Sequence, residues 1–135
     1  MIKEFNSLEE IEKYYDKNTN TYVFVENEEY IDLVIFHFDL HVEANIDAYD
    51  IEACNIKANN IYANNINANH IKAWDIITGD ISACNIEAGD ISANNISYHA
   101  VCFAYDSIKC KSIKGRRKNS KHFVLDGRLE VEEDE

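Results

Sequence analysis

The chain has 135 residues and a mass of 15.6 kDa, which fits one domain of ordinary size. Thirteen Lys and Arg against 25 Asp and Glu give a net charge of -12, which disfavours a simple cationic nucleic-acid binder. No apolar run approaches the roughly 18 residues that span a bilayer, and no signal-peptide pattern opens the chain. Four cysteines without a CxxC pair predict reduced thiols, so a soluble cytoplasmic protein is expected.

The N-terminal residues predict a cap over residues 1 to 41. Ser7-Leu8-Glu9-Glu10 has the form of a capping box, which predicts a short amphipathic helix over residues 7 to 17. From Val34 to Ile46 the even positions are apolar and alternate with polar ones, which predicts a strand running into the following segment. We expect the helix and the strand to cover an otherwise open sheet edge.

A five-residue repeat dominates the middle of the chain. Isoleucine recurs at every fifth position from Ile46 to Ile96, and Val101 takes the twelfth place. Alanine follows two positions later in nine repeats, the exceptions being Thr78, Tyr98 and Phe103, and the repeat ends in Asn or Asp in nine of twelve cases. The unit is therefore I-x-A-x-[N/D].

Period five fits neither a helix nor a flat strand, because neither would keep every isoleucine on one side. A coiled solenoid does. In I-x-A the first and third side chains point inward along a short extended segment, and x-[N/D] turns the corner. Stacked coils then bury an isoleucine and alanine interior, and Asn side chains at the corners can hydrogen-bond from coil to coil.

Ala-Asn-Asn-Ile at residues 58–61 and 63–66, and Ala-Gly-Asp-Ile at 88–91, resemble pentapeptide-repeat proteins of bacteria and phages. The resemblance covers residues 42 to 115 and implies a mainly β fold, a right-handed quadrilateral β-solenoid with four pentads per coil. That family usually places the small residue two before the large one, whereas here alanine follows isoleucine. Twelve pentads would then form three coils about 14 Å tall at the ~4.8 Å strand spacing.

The C-terminal segment, residues 116 to 135, predicts a second cap. After Phe103 the repeat slips by two positions, and Ile108-x-Cys110 and Ile113-x-Gly115 resume it. Asp126-Gly127 between apolar residues predicts a tight hairpin, and the last residues form an acidic tail.

Residues predicted to mediate oligomerisation lie near this end. Tyr98 and Phe103 are bulky residues at alanine positions, where they could close the core or reach a second chain. The basic loop around Arg116 and Arg117 could neutralise acidic groups of the same chain or of a neighbour, which favours a homodimer through the C-terminal end. The resemblance implies association at the same end. The alternative, that the loop contacts phosphate or RNA, is disfavoured by the acidic body of the protein.

One side of the four-sided coil is predicted to be selectively acidic. Every fourth pentad would stack, so one side would display Asp47, Asp50, Glu87 and Asp90 without a lysine. Such a row could occupy a DNA-binding groove, and pentapeptide-repeat proteins are associated with DNA gyrase in this role. The predicted density, roughly one charge per 3 Å against one per ~1.7 Å in duplex DNA, is dilute. The alternative is that the acids only keep a stacked rod solvated.

Apolar residues at outward positions are a second candidate site. Trp74 falls at a corner and Ile77 at an outward mid-strand position, and such a pair can anchor a partner. Scattered apolar groups are also ordinary on protein surfaces.

No catalytic signature is present, and no cofactor or metal is expected. His37, Asp39 and His41 could face outward together and hold a divalent metal, but a polar strand face explains them equally well.

Two classes of function remain. The first is a non-catalytic DNA mimic that inhibits a DNA-binding enzyme, such as a topoisomerase or a phage-targeted CRISPR nuclease. The second is a structural solenoid that works by homo-oligomerisation. No membrane partner is expected, and direct nucleic-acid binding is disfavoured.

Overall fold

The computed structural model of the protein describes residues 1–132 and consists almost entirely of short parallel strands. A 3-10 helix spans Leu8–Tyr14. The strands are β1 (Ile2–Phe5), β2 (Tyr15–Asp16), β3 (Thr21–Val23), β4 (Val25–Glu26), β5 (Glu29–Tyr30), β6 (Leu33–Phe36), β7 (Leu40–His41), β8 (Asn45–Asp47), β9 (Asp50–Ala53), β10 (Asn55–Lys57), β11 (Asn60–Asn67), β12 (His70–Ser92), β13 (Asn95–Cys110), β14 (Ser112–Gly115), β15 (Lys121–Val124) and β16 (Arg128–Val131). Strands β12 and β13 run through several sides of the coil, because extended backbone continues through their corners.

Each five-residue repeat forms one side of a β-solenoid, as the repeat predicts, but the solenoid has about six turns and not the three that were predicted. The burial of one repeat shows why. Ile76 is fully buried, Ile77 is 50% exposed, and Thr78 is buried again at the alanine position. This alternation follows from the period of two in extended backbone. A single side cannot bury its own apolar face, so the stack of coils supplies the core.

The coil has three sides, each one pentad long, and not the four sides that the resemblance implied. Ile46 lies beside Ile61 and Ile61 beside Ile76, so paired positions are three pentads apart. Ile51, Ile66 and Ile81 follow the same rule on the next side. The prediction of a quadrilateral coil was wrong because the repeat specifies the length of a side and the place of a corner. It does not specify the angle through which the corner turns.

We name the sides by their inward isoleucines. Side A contains Ile46, Ile61, Ile76, Ile91 and Ile108; side B contains Ile51, Ile66, Ile81, Ile96 and Ile113; side C contains Ile56, Ile71 and Ile86, followed by Cys102. The chain runs from A to B to C and returns to A one coil higher.

Asparagine ladders hold successive coils together at the start of each side. The amide nitrogen of Asn60 donates to Oδ1 of Asn45 at 3.0 Å. Asn65 donates in the same way to Asp50 at 3.0 Å and Asn95 to Asp80 at 2.9 Å. The prediction that Asn side chains bond from coil to coil is therefore confirmed.

The solenoid is longer than predicted. Coil register extends from Leu33 in β6 to Val131 in β16, whereas the sequence predicted residues 42 to 115. The predicted strand from Val34 to Ile46 is in fact three strands, β6, β7 and β8, separated by two corners. Alternating apolar residues describe a straight strand and a cornered coil equally well, so the pattern alone did not reveal the corners.

The N-terminal residues close one end of the core, as predicted. The Ser7 backbone N–H donates to the Glu10 carboxylate at 3.3 Å in the predicted capping box. The helix is a 3-10 helix, and it ends at Tyr14 rather than at residue 17. Phe5, Phe24 and Phe36 pack together, with ring centroids 5.5 to 5.9 Å apart, over the first coil. None of the helical segments within residues 1–132 has the length and apolar character of a membrane span.

Two C-terminal predictions were wrong. An extra corner residue shifts the register after Tyr98, so Cys102 and Ala104 point inward while Val101 and Phe103 point outward. The predicted hairpin does not form either. Strands β15 and β16 both pair in parallel with β13, and Gly127 lies at a coil corner. A Cβ atom on Gly127 would lie 1.7 Å from the Asp106 carbonyl oxygen, so close approach of two backbones explains this glycine. Of the predicted acidic tail, residues 133–135 lie outside the described part of the chain.

Ile76→Ala should lower the free energy of unfolding by about 2–5 kcal/mol, because it leaves a cavity in the middle of the core. The matched control is Ile77→Ala, whose side chain is half exposed; it should change stability by less than about 1 kcal/mol. Urea unfolding followed by circular dichroism measures both. Equal effects at the two positions would contradict the assigned phase of the repeat.

Thiol labelling tests the register shift near the C-terminal end. Burial, with a smaller effect of Cys110, raises the pKa of Cys102 to about 12, so this thiol should resist alkylation in the folded protein at pH 8. Cys54 is exposed and should react at once. Mass spectrometry of labelled peptides reads both sites. Rapid labelling of Cys102 without unfolding would show that it does not occupy the inward position.

Candidate functional site

Each side of the coil displays one outward side chain per turn, and these side chains form columns. Side A displays Asp47, Tyr62, Ile77, Ser92 and Lys109; side B displays Glu52, Asn67, Ser82, Ser97 and Lys114; side C displays His41, Lys57, Lys72, Glu87 and Phe103. Successive members of a column lie about 4.8 Å apart, the spacing of paired strands.

The predicted acidic row does not form. Asp47 lies in the column of side A, Asp50 at the start of side B, and Glu87 in the column of side C. Asp90 lies at the start of side A. In a coil of three pentads, a step of four pentads advances the chain by one extra side, so the four acids are distributed around the rod.

Each of these four carboxylates also takes part in a contact of the fold. Asp47 accepts a hydrogen bond from Tyr30 at 3.0 Å, and Asp50 accepts one from Asn65. Asp90 accepts from Ser107 at 2.7 Å. Glu87 accepts from the Tyr105 hydroxyl at 3.0 Å, which raises the pKa of Tyr105, and lies 3.8 Å from the Lys72 ammonium.

A different group of acids does share a face. Asp50, Glu52 and Asp80 line one open groove of about 600 Å³ on side B, together with Asn and Ser side chains and, at its upper end, Lys114. We call these three residues the side-B acidic patch. Arg116 reaches the top coil of the patch from above, because its guanidinium donates to Ser97 at 2.6 Å and also to Ser82, which lies in the same coil as Asp80.

Charge is also segregated along the axis of the rod. Residues 1–53 contain fourteen Asp and Glu against three Lys, whereas residues 106–121 contain seven Lys and Arg against one Asp. The N-terminal half of the rod is therefore acidic and the last coil is basic.

Side C differs from the other two sides. Lys57 and Lys72, the two lysines of the regular repeats, lie one above the other in its column. They line a groove of about 850 Å³ together with Trp74 and Tyr105. Glu43, Asp75, Glu87 and Asp106 line the same groove, so it carries both signs of charge.

The predicted apolar pair is exposed. Trp74, at the corner between sides C and A, is 68% exposed, and Ile77 is 50% exposed. Tyr62 lies directly below Ile77 in register and extends the apolar surface by one coil. The sequence could have identified Tyr62 as a neighbour of Ile77 only if the number of pentads per coil had been known.

The predicted oligomerisation residues have different environments. Tyr98 is buried, and its hydroxyl lies 2.5 Å from Nδ1 of His122, so it fills the core and is no surface residue. Phe103 points outward and packs against Phe123, with centroids 4.7 Å apart. Arg116 is bound to side B, while the side chain of Arg117 is exposed.

The predicted histidine group takes part in separate contacts. His37 Nε2 lies 3.0 Å from a Glu4 carboxylate oxygen, and Asp39 accepts a hydrogen bond from Asn55 at 2.8 Å. Within residues 1–132 no group of three His, Cys, Asp or Glu side chains has the geometry to hold a metal ion.

The ladder of side A contains two acids, Asp75 and Asp90, of which sequence reasoning missed Asp75. Burial, followed by the charge of Asp90, raises the pKa of Asp75. One coil below, Oδ1 of Asn60 is buried and has no hydrogen-bond donor. An ionised Asp75 cannot donate to it, whereas on the rung below Asn60 itself donates to Asn45. The signal in the sequence was Asp in place of Asn at positions 75 and 90. To recognise that these two acids stack, one must know that three pentads form one coil.

Asp75→Asn should stabilise the protein at pH 7 by about 1 kcal/mol, because the new amide can donate to Asn60 and a like-charge contact is removed. The raised pKa in the folded state means that ionising Asp75 opposes folding. Its unfavourable effect is therefore absent at low pH and appears as pH rises from the unfolded towards the folded pKa. The variant should lose this part of the pH dependence of stability.

Asp80→Asn is the matched control for this prediction. Asp80 lies at the equivalent ladder position of side B, above Asn65, whose exposed side chain already has access to water. Chemical denaturation from pH 4 to 8 compares the two variants. Equal stabilisation by both would show that general relief of negative charge, rather than the Asp75 rung, is responsible.

The comparisons with known proteins found no match: no family model, no curated protein and no solved structure matches this chain.

Proposed function

We propose that this chain is a non-catalytic binding protein that presents carboxylates on one side of a rod to a cationic surface of a partner. The observation that carries the proposal is the side-B acidic patch. Asp50 and Asp80 belong to one ladder and Glu52 to the adjacent column. Going up side B from the patch, the first Lys or Arg in register is Lys114.

The backbone around the patch favours preorganised binding. Strands β9, β11 and β12 pair side by side beneath these residues, and the Asn65 and Asn95 amides fix the carboxylates of Asp50 and Asp80. Two coils separate these carboxylates, about 10 Å at the usual strand spacing. Groups already held in place lose little entropy on binding, which favours affinity.

The proposed partner is a DNA-binding enzyme, such as a topoisomerase or a CRISPR nuclease, and the proposed effect is inhibition by competition with DNA. Surfaces that bind duplex DNA carry rows of Lys and Arg, which an acidic rod complements. The patch alone carries negative charge less densely than duplex DNA, which has one charge per ~1.7 Å. Glu4, which lies in the column of Glu52 two coils below, extends it. The five-residue repeat shared with pentapeptide-repeat proteins supports the same partner class, although this coil has three sides.

A second candidate is a structural rod that works by association with itself. The specific observation in its favour is the last coil, whose strands β14, β15 and β16 each pair only with β13 among the described strands. In this case the side-B acidic patch serves to keep the rod solvated.

The test of the first proposal is displacement of a fluorescent DNA duplex from purified DNA gyrase and from a purified CRISPR nuclease. The patch variant is Asp50→Asn, Glu52→Gln and Asp80→Asn, which keeps the size and most hydrogen bonds of the side chains. We expect it to need about tenfold more protein for half-displacement, because charged pairs at a binding surface contribute about 0.5 kcal/mol each.

The matched control is Glu12→Gln, Glu29→Gln and Glu43→Gln, which makes the same change in net charge at exposed sites away from the patch. It should displace DNA like the unmodified protein. Equal activity of the patch variant, or no displacement from either enzyme by the unmodified protein, would overturn the proposal. Neither variant should change the mass of the protein in solution, which separates this proposal from the second candidate.

A further inference from the structure

The two ends of the solenoid are not equivalent. At the N-terminal end the inward side chains are buried, and Phe24 and Phe36 are at most 1% exposed. In the last coil the inward positions of Ile113, Val124 and Leu129 are only partly buried. Strands β14, β15 and β16 have one paired edge each among the described strands. An open coil edge with apolar side chains is a surface for strand addition.

Charges of both signs flank this open edge at different corners. The basic loop, residues 116–120, lies at the corner between sides B and C and leads into Lys121. The chain leaves side A at Glu132, which therefore lies at the corner between sides A and B. The basic loop does not cover the edge, because Arg116 bonds downward to Ser97 and Ser82, and Ser120 donates to the His99 carbonyl oxygen at 2.5 Å.

Symmetry limits how a second copy can cover this edge. When two copies meet end to end around a two-fold axis perpendicular to the rod, one side stacks on the same side of the other copy. Each of the remaining two sides stacks on the other one, and the choice of the first side gives three arrangements. Side A on side A would place the two basic loops together. Side C on side C would place the two Glu132 corners together. Only side B on side B places each basic loop over the Glu132 corner of the other copy.

The strand register agrees with this arrangement. The two-fold axis reverses the second copy, so strands meet antiparallel, and inward side chains must face inward side chains. With the axis at Lys114, Ile113 faces Gly115 of the second copy, and Val124 faces Leu129 of the second copy. Every inward position on the open edge is then covered by an inward position of the other chain. In the same register Lys121 faces Glu132 of the second copy, an opposite-charge pair.

We propose that the protein forms a two-fold homodimer through its last coil, with β14 antiparallel to β14 and β15 antiparallel to β16 of the second copy. The two rods then form one continuous solenoid whose outer ends are both closed by the aromatic N-terminal cap. The contact uses the same surface on both copies, so the assembly ends at two chains and does not grow into a fibre. The inference does not depend on the side-B acidic patch or on a DNA-binding partner.

Mass and cross-linking test the dimer and its symmetry together. Sedimentation velocity should give twice the chain mass of 15.6 kDa. Lys114→Cys, in a background with Cys54→Ser and Cys84→Ser, should form a disulfide between copies on mild oxidation, because the two positions meet at the axis. In the proposed dimer the two Lys114 ammonium groups face each other at the axis, and the substitution also removes this repulsion. The control Ser92→Cys, an exposed position on side A two coils below the edge, should not cross-link.

A charge exchange tests the proposed pairing. Lys121→Glu and Glu132→Lys should each weaken the dimer about tenfold, because each places two like-charged pairs at the contact. The double variant should regain the affinity of the unmodified protein. Lys109→Gln is the control for loss of the 3.2 Å contact between Lys109 and Glu132 within one chain, and it should leave the mass unchanged.

A monomer at concentrations up to about 100 μM would overturn the proposal, since a specific coil-on-coil contact should have a dissociation constant well below that. A dimer that fails to cross-link through Lys114→Cys, or that is not restored by the charge exchange, would overturn the side-B-on-side-B arrangement. These outcomes are independent of DNA displacement, so failure of one proposal leaves the other standing.

Discussion

The structure depends on a shared spacing. Inward isoleucines stack on one another, and corner Asn and Asp residues stack on one another, at the same interval of three pentads. The isoleucines supply apolar burial, and the Asn amides satisfy polar groups at the corners from one coil to the next. Neither interaction would hold alone, because an apolar stack without satisfied corners would bury unpaired polar groups, and ladders without a core would remain solvated. Every surface column follows from this shared register.

The sequence predicted what a single repeat encodes. The inward phase of Ile66, the exposure of Trp74 and Ile77, and the hydrogen bonds of the corner Asn residues all follow from one pentad. The number of sides did not follow, since it depends on how far each corner turns and therefore on packing between coils. The extra residue after Tyr98 also escaped the prediction, because a shift of one position makes Phe103 look like an inward residue.

The candidate site was more sensitive to this error than the core was. A change from four sides to three leaves every inward residue inward, but it redistributes the outward residues among different columns. Asp50 and Glu87 therefore moved to different sides, while Asp80 joined Asp50 in one ladder. Surface predictions for repeat proteins thus need the coil length first, whereas core predictions need only the repeat.

The corners tolerate additional chain length far better than the sides. The offset between paired positions is three pentads from Ile81 to Ile96, longer from Ile91 to Ile108, and longest from Ile108 to Leu129, yet the inward positions remain aligned. The added residues project outside the paired strands and disturb no ladder below them. The loop between Gly115 and Lys121 is consequently a natural graft point, at which a foreign peptide could be displayed on a rigid support without remodelling the interior.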